Sequence, residues 1–352
     1  MVARKRIGVD IGSTAVRAAE VSQNGASRSL LRVAQVPLPD GAVRGGEIQD
    51  PVAVAAALKE LWRRGKFKSR DITLGVGNQK MVVREVIVPW LPEKELRESL
   101  PFLVQEFVPI PIDEAVLDYH LIEEFEQDGN RMARLLLVAA QKAMVALIIS
   151  AVGEAKLRPM GLDLVPFAIV RAVGTEDGLW LDEDGERDEA IIDIGAEVTS
   201  ICVHVQGLPR FVRILPWGGR DLTAAIAKGM DISEGEAEWL KRGHDADPER
   251  AAEASRIGLA RAAGFVDEIR SSLDFYSSQS QGLRIERVLL TGGGSQMAGL
   301  PELIDERLSA KVVFGRTFER VVPSVPMSPD AASEAEPLLA VAVGLAISGA
   351  ER

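Results

Sequence analysis

Val9-Asp10-Ile11-Gly12-Ser13-Thr14-Ala15-Val16 returns in the second half of the chain as Ile192-Asp193-Ile194-Gly195-Ala196-Glu197-Val198-Thr199. The octets share Asp-Ile-Gly in register, and their surroundings match as well. Up to the first, Lys5–Ile11 alternates with the period of a strand, Ile7, Val9 and Ile11 on one side, Gly8 and Asp10 on the other. Beyond the Gly12-Ser13-Thr14 turn, Ala15–Ser22 reads as a second strand, Asn24-Gly25 as a hairpin turn and Ser29–Val36 as a third strand. In the second half Ile191–Gly195, Thr199–Val205, Gly207 and Arg210–Leu215 repeat the series. One Asp-Ile-Gly is merely a strand ending in a turn. Two, each opening a three-strand meander at the head of one half, predict a duplicated, two-lobed α/β fold.

Composition narrows the function. The 352 residues exceed one ordinary domain, and 47% hydrophobic with 26% charged is globular usage. Lys plus Arg 41 against Asp plus Glu 52 leaves a net charge of −11, which argues against nucleic acid as a partner. The single cysteine, Cys202, excludes an internal disulfide, fits a reducing compartment and reads as packed within its strand. His120, His204 and His244 lie too far apart to suggest zinc. No signal core follows Arg4-Lys5-Arg6, and no apolar run approaches the roughly 20 residues of a bilayer span. The expectation is a cytoplasmic chain with no direct membrane insertion.

The intervening segments differ between the halves. Pro51–Arg64 predicts a helix, Ile72–Val76 and Val82–Val88 strands, and Pro92 opens a helix through Phe107. Ala115–Glu124 and Arg134–Ala140 predict strands, and Lys142–Glu154 a helix, so residues 83–156 form an α/β block inside the first half. A helix from Pro166 to Val173 and an acidic stretch, Thr175–Asp188, lead into the second half. That half carries helices over Asp221–Lys228, Ser233–Arg242 and Ala251–Gln279, then the strand Arg287–Leu290 before Thr291-Gly292-Gly293-Gly294. Pro323–Glu336 reads as loop and Pro337–Ser348 as an apolar helix.

A carboxylate at a strand end, followed by small residues, suits phosphate and metal together. Turn N–H groups donate to phosphate oxygens, and the carboxylate holds the waters of a hydrated Mg²⁺. Two such turns facing each other would clamp a triphosphate between Asp10 and Asp193, while Gly292, Gly293 and Gly294 leave room for a flat base or ribose. No Walker A loop competes, and Met297 stands where a dinucleotide-binding turn needs its last glycine.

DIGSTAVR, DIGAEVTS and LLTGGGSQMAGL resemble the two phosphate motifs and the adenosine motif of the actin-like ATPase superfamily. Within it, FLVQEFVPIPIDEAVLDYHLI, LLLVAAQKAMVALIISAVGEAKLRPMGLDLVPFAIVRAV and EIRSSLDFY resemble the type IV pilus assembly family PilM. The resemblance implies the duplicated ribonuclease-H-like fold with subdomain 1A over residues 1–82 and 157–185, an inserted 1C over 83–156, 2A over 186–230 and 280–352, and 2B over 231–279. It implies ATP and Mg²⁺ as cofactors. Asp10 and Asp193 would hold the hydrated metal, Gly12, Ser13 and Thr14 would meet the β- and γ-phosphates, and Arg17 would replace a phosphate-contacting lysine. Gly195, Gly218 and Gly219 would approach phosphate in the second lobe, and Glu238 and Lys241 the ribose. Read from the residues alone, that last pair is a solvated ion pair.

The same resemblance implies a scaffold in a pilus assembly machine. Its groove between 1A and 1C would bind the cytoplasmic N-terminal peptide of the inner-membrane protein PilN, with the assembly motor complex as a further partner and a homo-oligomer left open. Two departures bear on hydrolysis. Val165 precedes Pro166 where many superfamily members have an acid that orients water, and Glu197 stands where glycine is common. No residue is therefore assigned a catalytic role, and slow or negligible turnover is expected. A small-molecule kinase would need a positioned aspartate base, which no residue supplies. A filament-forming relative often carries a basic amphipathic anchor, whereas 338–343 is Leu-Leu-Ala-Val-Ala-Val. A secretion-system component sharing the fold is separated only by the resemblance.

Overall fold

The computed structural model describes residues 4–25, 27–175, 188–244, 247–279 and 285–347. Arg4–Ile11 (β1), Ala15–Asn24 (β2) and Ser27–Pro37 (β3) form the first meander, with Asp10 opposite Arg17. Val43–Arg44 (β4) and Glu47–Ile48 (β5) pair in a small ribbon that periodicity is too short to reveal. Helix Pro51–Gly65 (α1) starts where its sequence predicts. The Asp50 carboxylate accepts the N–H groups of Val52 and Ala53 at 3.0 and 2.9 Å, and Pro51 sits in the first turn, where a missing N–H costs nothing. Asp71–Val76 (β6) adds to the sheet beside β1.

Val82–Pro89 (β7), Glu93–Leu103 (α2), Ala115–Gln127 (β8) and Asn130–Gln141 (β9) make the inserted block, whose sheet runs β7-β9-β8 over its own core of Val86, Val88, Leu96, Leu100, Leu135 and Leu137. The helix expected through Phe107 ends at Leu103, and Gln105–Phe107 forms a separate 3₁₀ turn. Lys142–Glu154 (α3), Arg158–Leu164 (β10) and Val165–Val173 (α4) bring the chain back, and the first-lobe sheet reads β10-β6-β1-β2-β3.

Asp188–Ile194 (β11), Thr199–Val205 (β12) and Leu208–Leu215 (β13) repeat the meander. Helices Gly219–Met230 (α5), Glu234–Lys241 (α6) and Pro248–Gln279 (α7) precede Ile285–Thr291 (β14), Leu300–Arg307 (α8) and Lys311–Phe314 (β15), giving a sheet in the order β13-β12-β11-β14-β15. The two sheets realise the duplicated plan. Most of the acidic stretch after Thr175 lies outside the described residues.

Packing moves three of the expected boundaries. The tail assigned with 280–352 to the second lobe returns to the first: Thr317–Arg320 (α9) leads to Val322–Pro323 (β16), which pairs with β3, and Pro329–Ala346 (α10) lies across β1 and β2. Helix α3, placed in the inserted block, buries Met144, Ile148, Ala151 and Val152 in the first-lobe core. Helix α7 is shared, with Ala254 packing against α5 and α6 while Phe265, Val266 and Ile269 enter the second-lobe core. The loop expected over 323–336 is also corrected, because α10 begins at Pro329, capped by Ser328, and runs through Pro337. Pro337 reads locally as a helix start. Here its carbonyl accepts from Thr291 Oγ1 and the Gly292 N–H, both at 3.3 Å, so the third glycine turn is docked on the helix interior.

Helices α4 and α10 join the lobes through a shared core that includes Ala168, Ile169, Ile191, Leu289, Ala340 and Val341. Their crossing is backbone on backbone: a Cβ at Gly344 would lie 1.8 Å from the Ala168 carbonyl oxygen. Likewise a Cβ at Gly8 would lie 2.1 Å from the Ala342 carbonyl, which seats α10 directly on β1. Gly344→Val therefore forces the helices apart and is expected to lower unfolding free energy by about 3 kcal/mol. Gly264→Ala, in the open middle of α7, should raise it by up to about 1 kcal/mol. Urea midpoints of the two variants check the contrast.

Candidate nucleotide cleft

The duplicated turns face each other across a cleft of about 420 Å³ between the lobes. In each, the glycine N–H closes the turn in the same way: Gly12 donates to the Ala15 carbonyl at 3.1 Å, and Gly195 to that of Val198 at 3.0 Å. Asp10 and Asp193 therefore leave their strands at equivalent positions, and both line the cleft with Gly12, Ser13, Thr14, Arg17, Gly195 and Gly219. Arg17 is held from two sides, its Nη1 lying 3.4 Å from Asp10 Oδ2 and its Nε donating to Gln35 Oε1 at 2.9 Å.

Electrostatics set these carboxylates apart. Burial raises Asp10 above the usual carboxylate range, and the Arg17 guanidinium partly opposes the rise. Asp193 is pushed up to about 7, first by burial and then by the charge of Asp10, with Arg17 again opposing. Two half-buried carboxyls with one fixed guanidinium nearby are short of positive charge. An oxygen-only donor pair with room for water suits Mg²⁺, so the residues present fit that ion.

Gly218 departs from expectation. It does not line the cleft; a Cβ there would lie 2.5 Å from the Ala196 carbonyl carbon and 2.6 Å from the Gly195 oxygen, so it packs behind the second turn. The N–H groups of Gly219 and Arg220 are bound to the Gly195 and Ala196 carbonyls at 2.9 and 2.8 Å. Gly219 and Arg220 thus brace the turn with their backbone donors, while the Gly218 N–H donates to Asp221 Oδ2 at 3.0 Å. Gly292, Gly293 and Gly294 do line the cleft; Gly292 has φ 84°, and a Cβ on it would meet Asp193 Oδ1 at 2.5 Å.

Glu238 and Lys241 are not a solvated pair. Lys241 is buried and donates to the Gly219 carbonyl at 3.0 Å and to Thr223 Oγ1 at 2.8 Å while also pairing with Glu238. Burial acts to raise the Glu238 carboxyl, but Lys241, Thr223 and Arg242 hold it below its ordinary value. Burial lowers Lys241, with Glu238 opposing. Thr223, absent from the sequence reading, sits one helical turn after Gly219 and joins the pair, a spacing that could have flagged it.

The two departures singled out in the sequence, Val165 and Glu197, also line the cleft. Val165 packs on the floor, where Cβ atoms at Gly75 and Gly77 would meet its side chain at 3.1 and 2.9 Å. Glu197 lines the cleft, yet its carboxylate reaches across to the first lobe. Its Oε2 accepts the Gly45 N–H at 2.7 Å, and its Oε1 lies 3.1 Å from Arg220, which also contacts Asp40 at 2.6 Å. Elsewhere, Cys202 is buried and burial pushes its thiol up, His204 lies 3.1 Å from Glu189, and Trp217 is buried and stacked on Phe265.

The cleft and the doubled sheets are those of an actin-like ATPase fold. Solved structures with TM-scores of 0.61 and 0.54 share it: the ethanolamine utilization protein EutJ from Carboxydothermus hydrogenoformans, 17% identical over 99% of this chain and 91% of that one, and MreB5 of Spiroplasma citri bound to ADP, 12% identical over 97% and 94%. The model of the type IV pilus assembly protein PilM family matches residues 8–350, and the chain belongs to that family. A solved PilM–PilN type IV pilus biogenesis complex matches with a TM-score of 0.83 at 30% identity, covering 99% of each chain. The cell division protein FtsA of Bacillus subtilis (strain 168) is 23% identical over 87% of this chain and 77% of its own length. Among the described residues, no helix is long and apolar enough to cross a membrane.

The raised Asp193 carboxyl fixes a pH dependence. Without a cation, the folded chain holds a proton that the unfolded chain releases near the ordinary carboxylate value. Stability from this group is full below that value and is lost as pH rises toward about 7. A metal requires the ionised form, so magnesium-dependent nucleotide affinity should increase by up to about tenfold between pH 6 and 8. Asp193→Asn should raise the melting temperature of the ligand-free protein at pH 8 and abolish stabilisation by magnesium nucleotide. Calorimetry at the two pH values and melting of the variant test both statements.

Proposed function

We propose that this chain is an ATP-binding scaffold of a type IV pilus assembly machine, with slow or negligible hydrolysis. The observation that carries the nucleotide half is the convergence of both Asp-Ile-Gly turns and the Gly292–Gly294 turn on one cleft. Asp10 and Asp193 would hold hydrated Mg²⁺, which when bound neutralises phosphate charge. The turn at Gly12, Ser13 and Thr14 would receive the β- and γ-phosphates, with Arg17 beside them and Gly195 opposite. Gly219, Glu238 and Lys241 would face the ribose, and Gly292, Gly293 and Gly294 the adenosine. Gly218 would serve by bracing the second turn. Val165 supports slow turnover, since a valine on the cleft floor can neither orient water nor accept its proton.

The partner half concerns the junction of α3 and β10. Among the described residues, β10 lies at one edge of its sheet and leaves Met160 71% and Leu162 38% exposed, while neighbouring α3 leaves Leu147 37% and Ile149 43% exposed. An open edge beside apolar side chains suits an extended peptide, which would add main-chain hydrogen bonds and bury alternate side chains. We assign that peptide to the cytoplasmic N-terminus of a PilN-like inner-membrane protein. The chain would then sit at the inner face of the membrane through its partner and pass the connection to the assembly motors.

Three outcomes are expected. Magnesium ATP binds, and turnover stays below about 1 per second, the low end of ordinary enzymes. Val165→Asp, which restores an acid at the floor, should raise turnover at least about tenfold, one decade of barrier. Met160→Asp should weaken the PilN-type peptide by about tenfold or more, the cost of losing a well-buried contact, and leave nucleotide affinity unchanged. Steady-state phosphate release and fluorescence anisotropy of a labelled peptide read these, and equal peptide affinity in Met160→Asp would remove the β10 edge from the assignment.

A further inference from the structure

The ribbon of β4 and β5 runs along the cleft, which Gly46 and Ile48 line together with Gly77 and with Ile148 of α3, and it packs on α3. At one end, the Gly45 N–H donates to Glu197 Oε2 at 2.7 Å, so the second-lobe phosphate turn is tied directly to this first-lobe ribbon. At the middle, Gly46 has φ 79°, and a Cβ there would lie 2.5 Å from the Gly77 carbonyl oxygen and 3.0 Å from Asn78 Cβ. Backbone rests on backbone at this point, with no side chain to absorb a displacement. Asn78 then carries the contact onward. It is fully buried, its Nδ2 lies 2.8 Å from Met144 Sδ on α3, and its Oδ1 accepts the Lys80 N–H at 2.9 Å. Lys80 in turn reaches back to Glu47 on the ribbon at 2.7 Å, which fastens the far side.

The whole series is short: Glu197, Gly45, Gly46, Asn78, Met144. From these contacts we propose that the Val43–Ile48 ribbon couples occupancy of the cleft to the α3/β10 junction, so that nucleotide regulates the surface offered to the partner peptide. This rests on the reading that the cleft takes magnesium nucleotide. The physical argument is that close-packed interiors pass on displacements that a loose contact would dissipate. Glu197 lies on the lobe that moves relative to the ribbon whenever the cleft widens or narrows. Its bond to Gly45 makes the ribbon follow, and Asn78 transfers the shift to the buried face of α3, which Leu147 and Ile149 flank on either side. Arg220, bridging Glu197 and Asp40, keeps the Glu197 carboxylate aimed across the cleft.

Hydrogen exchange with and without magnesium ATP tests the coupling on the intact chain. Wild type should show slower exchange over 12–15 and 292–295, and also over 43–50, 77–81 and 142–150, the last by about fivefold, the low end of ordinary coupling between sites. In Asn78→Ser, residues 12–15 and 43–50 should still respond, while the response over 142–150 falls to within about twofold of none. In Glu197→Ala, which remains available should Asn78→Ser fold poorly, the response over 142–150 divided by that over 12–15 should fall by a similar factor. An undiminished response over 142–150 in either variant, or a silent 142–150 in wild type whose 12–15 segment is protected, overturns the coupling while sparing the nucleotide reading. Silence over 12–15 and 292–295 together overturns the nucleotide reading and the coupling with it.

Discussion

Everything in this molecule hangs on the contact between Gly344 and the Ala168 carbonyl, where α4 and α10 cross without an intervening side chain. These helices are the bridge between the lobes: α4 leaves the first sheet for the second, and α10 brings the chain's end back onto β1 and β2. A crossing that tight fixes the angle at which the sheets confront each other. It is the reason two strand ends from opposite halves of the chain share one cleft. Arg171 strengthens the same junction, since its Nε donates to the Gly344 and Ile347 carbonyls at 3.1 and 2.9 Å and its guanidinium pairs with Asp163. Carbonyls at the end of α10 and just past it thus receive a side chain of α4.

What the bridge imposes is unfavourable by itself. Asp10 and Asp193 are half-buried and close enough that the charge of one raises the other. A structure free to relax would separate them; the bridge does not permit it. The strain is electrostatic, and a divalent cation relieves it directly by supplying the charge that Arg17 alone does not. On the proposed reading, the stability this repulsion costs would reappear as affinity for a metal nucleotide, which is linkage rather than coincidence.

Much of this was legible because it is local. The repeated octets, the Asn24-Gly25 hairpin, the Asp50-Pro51 start of α1 and the strand periods each sit within a few residues, and the meanders follow them closely. Misreadings arose where local and distant demands conflict. Pro337 looks like a helix start, yet α10 passes through it because burial against two lobes outweighs the loss of one N–H. The return of that helix to the first sheet, and the sharing of α3 and α7 between cores, depend on contacts between segments far apart in sequence, on which periodicity is silent. At the site, the glycine pair at Gly218 resembled a phosphate contact by type alone. Only the neighbours of its missing Cβ reveal that it packs against Ala196. The Glu238–Lys241 pair taught the converse, since the residue types read as an ion pair but could not tell whether water or Thr223 and Gly219 lay beside them.

Glu197 and Val165 bear on what the cleft is built to do. A carboxylate among phosphate-facing residues would repel a γ-phosphate if it pointed inward. Here it is engaged by Gly45 and Arg220, so its charge is directed to the seam between lobes. Val165, in turn, fills the floor against Gly75 and Gly77 with an apolar side chain. On the proposed reading, one departure would tie the lobes together around a nucleotide, and the other would leave the floor without a group able to orient water. A cleft devoted to hydrolysis gains from neither. A cleft that uses a bound nucleotide to hold two lobes in one arrangement gains from both, because such a ligand acts through the population of the closed state for as long as it stays intact.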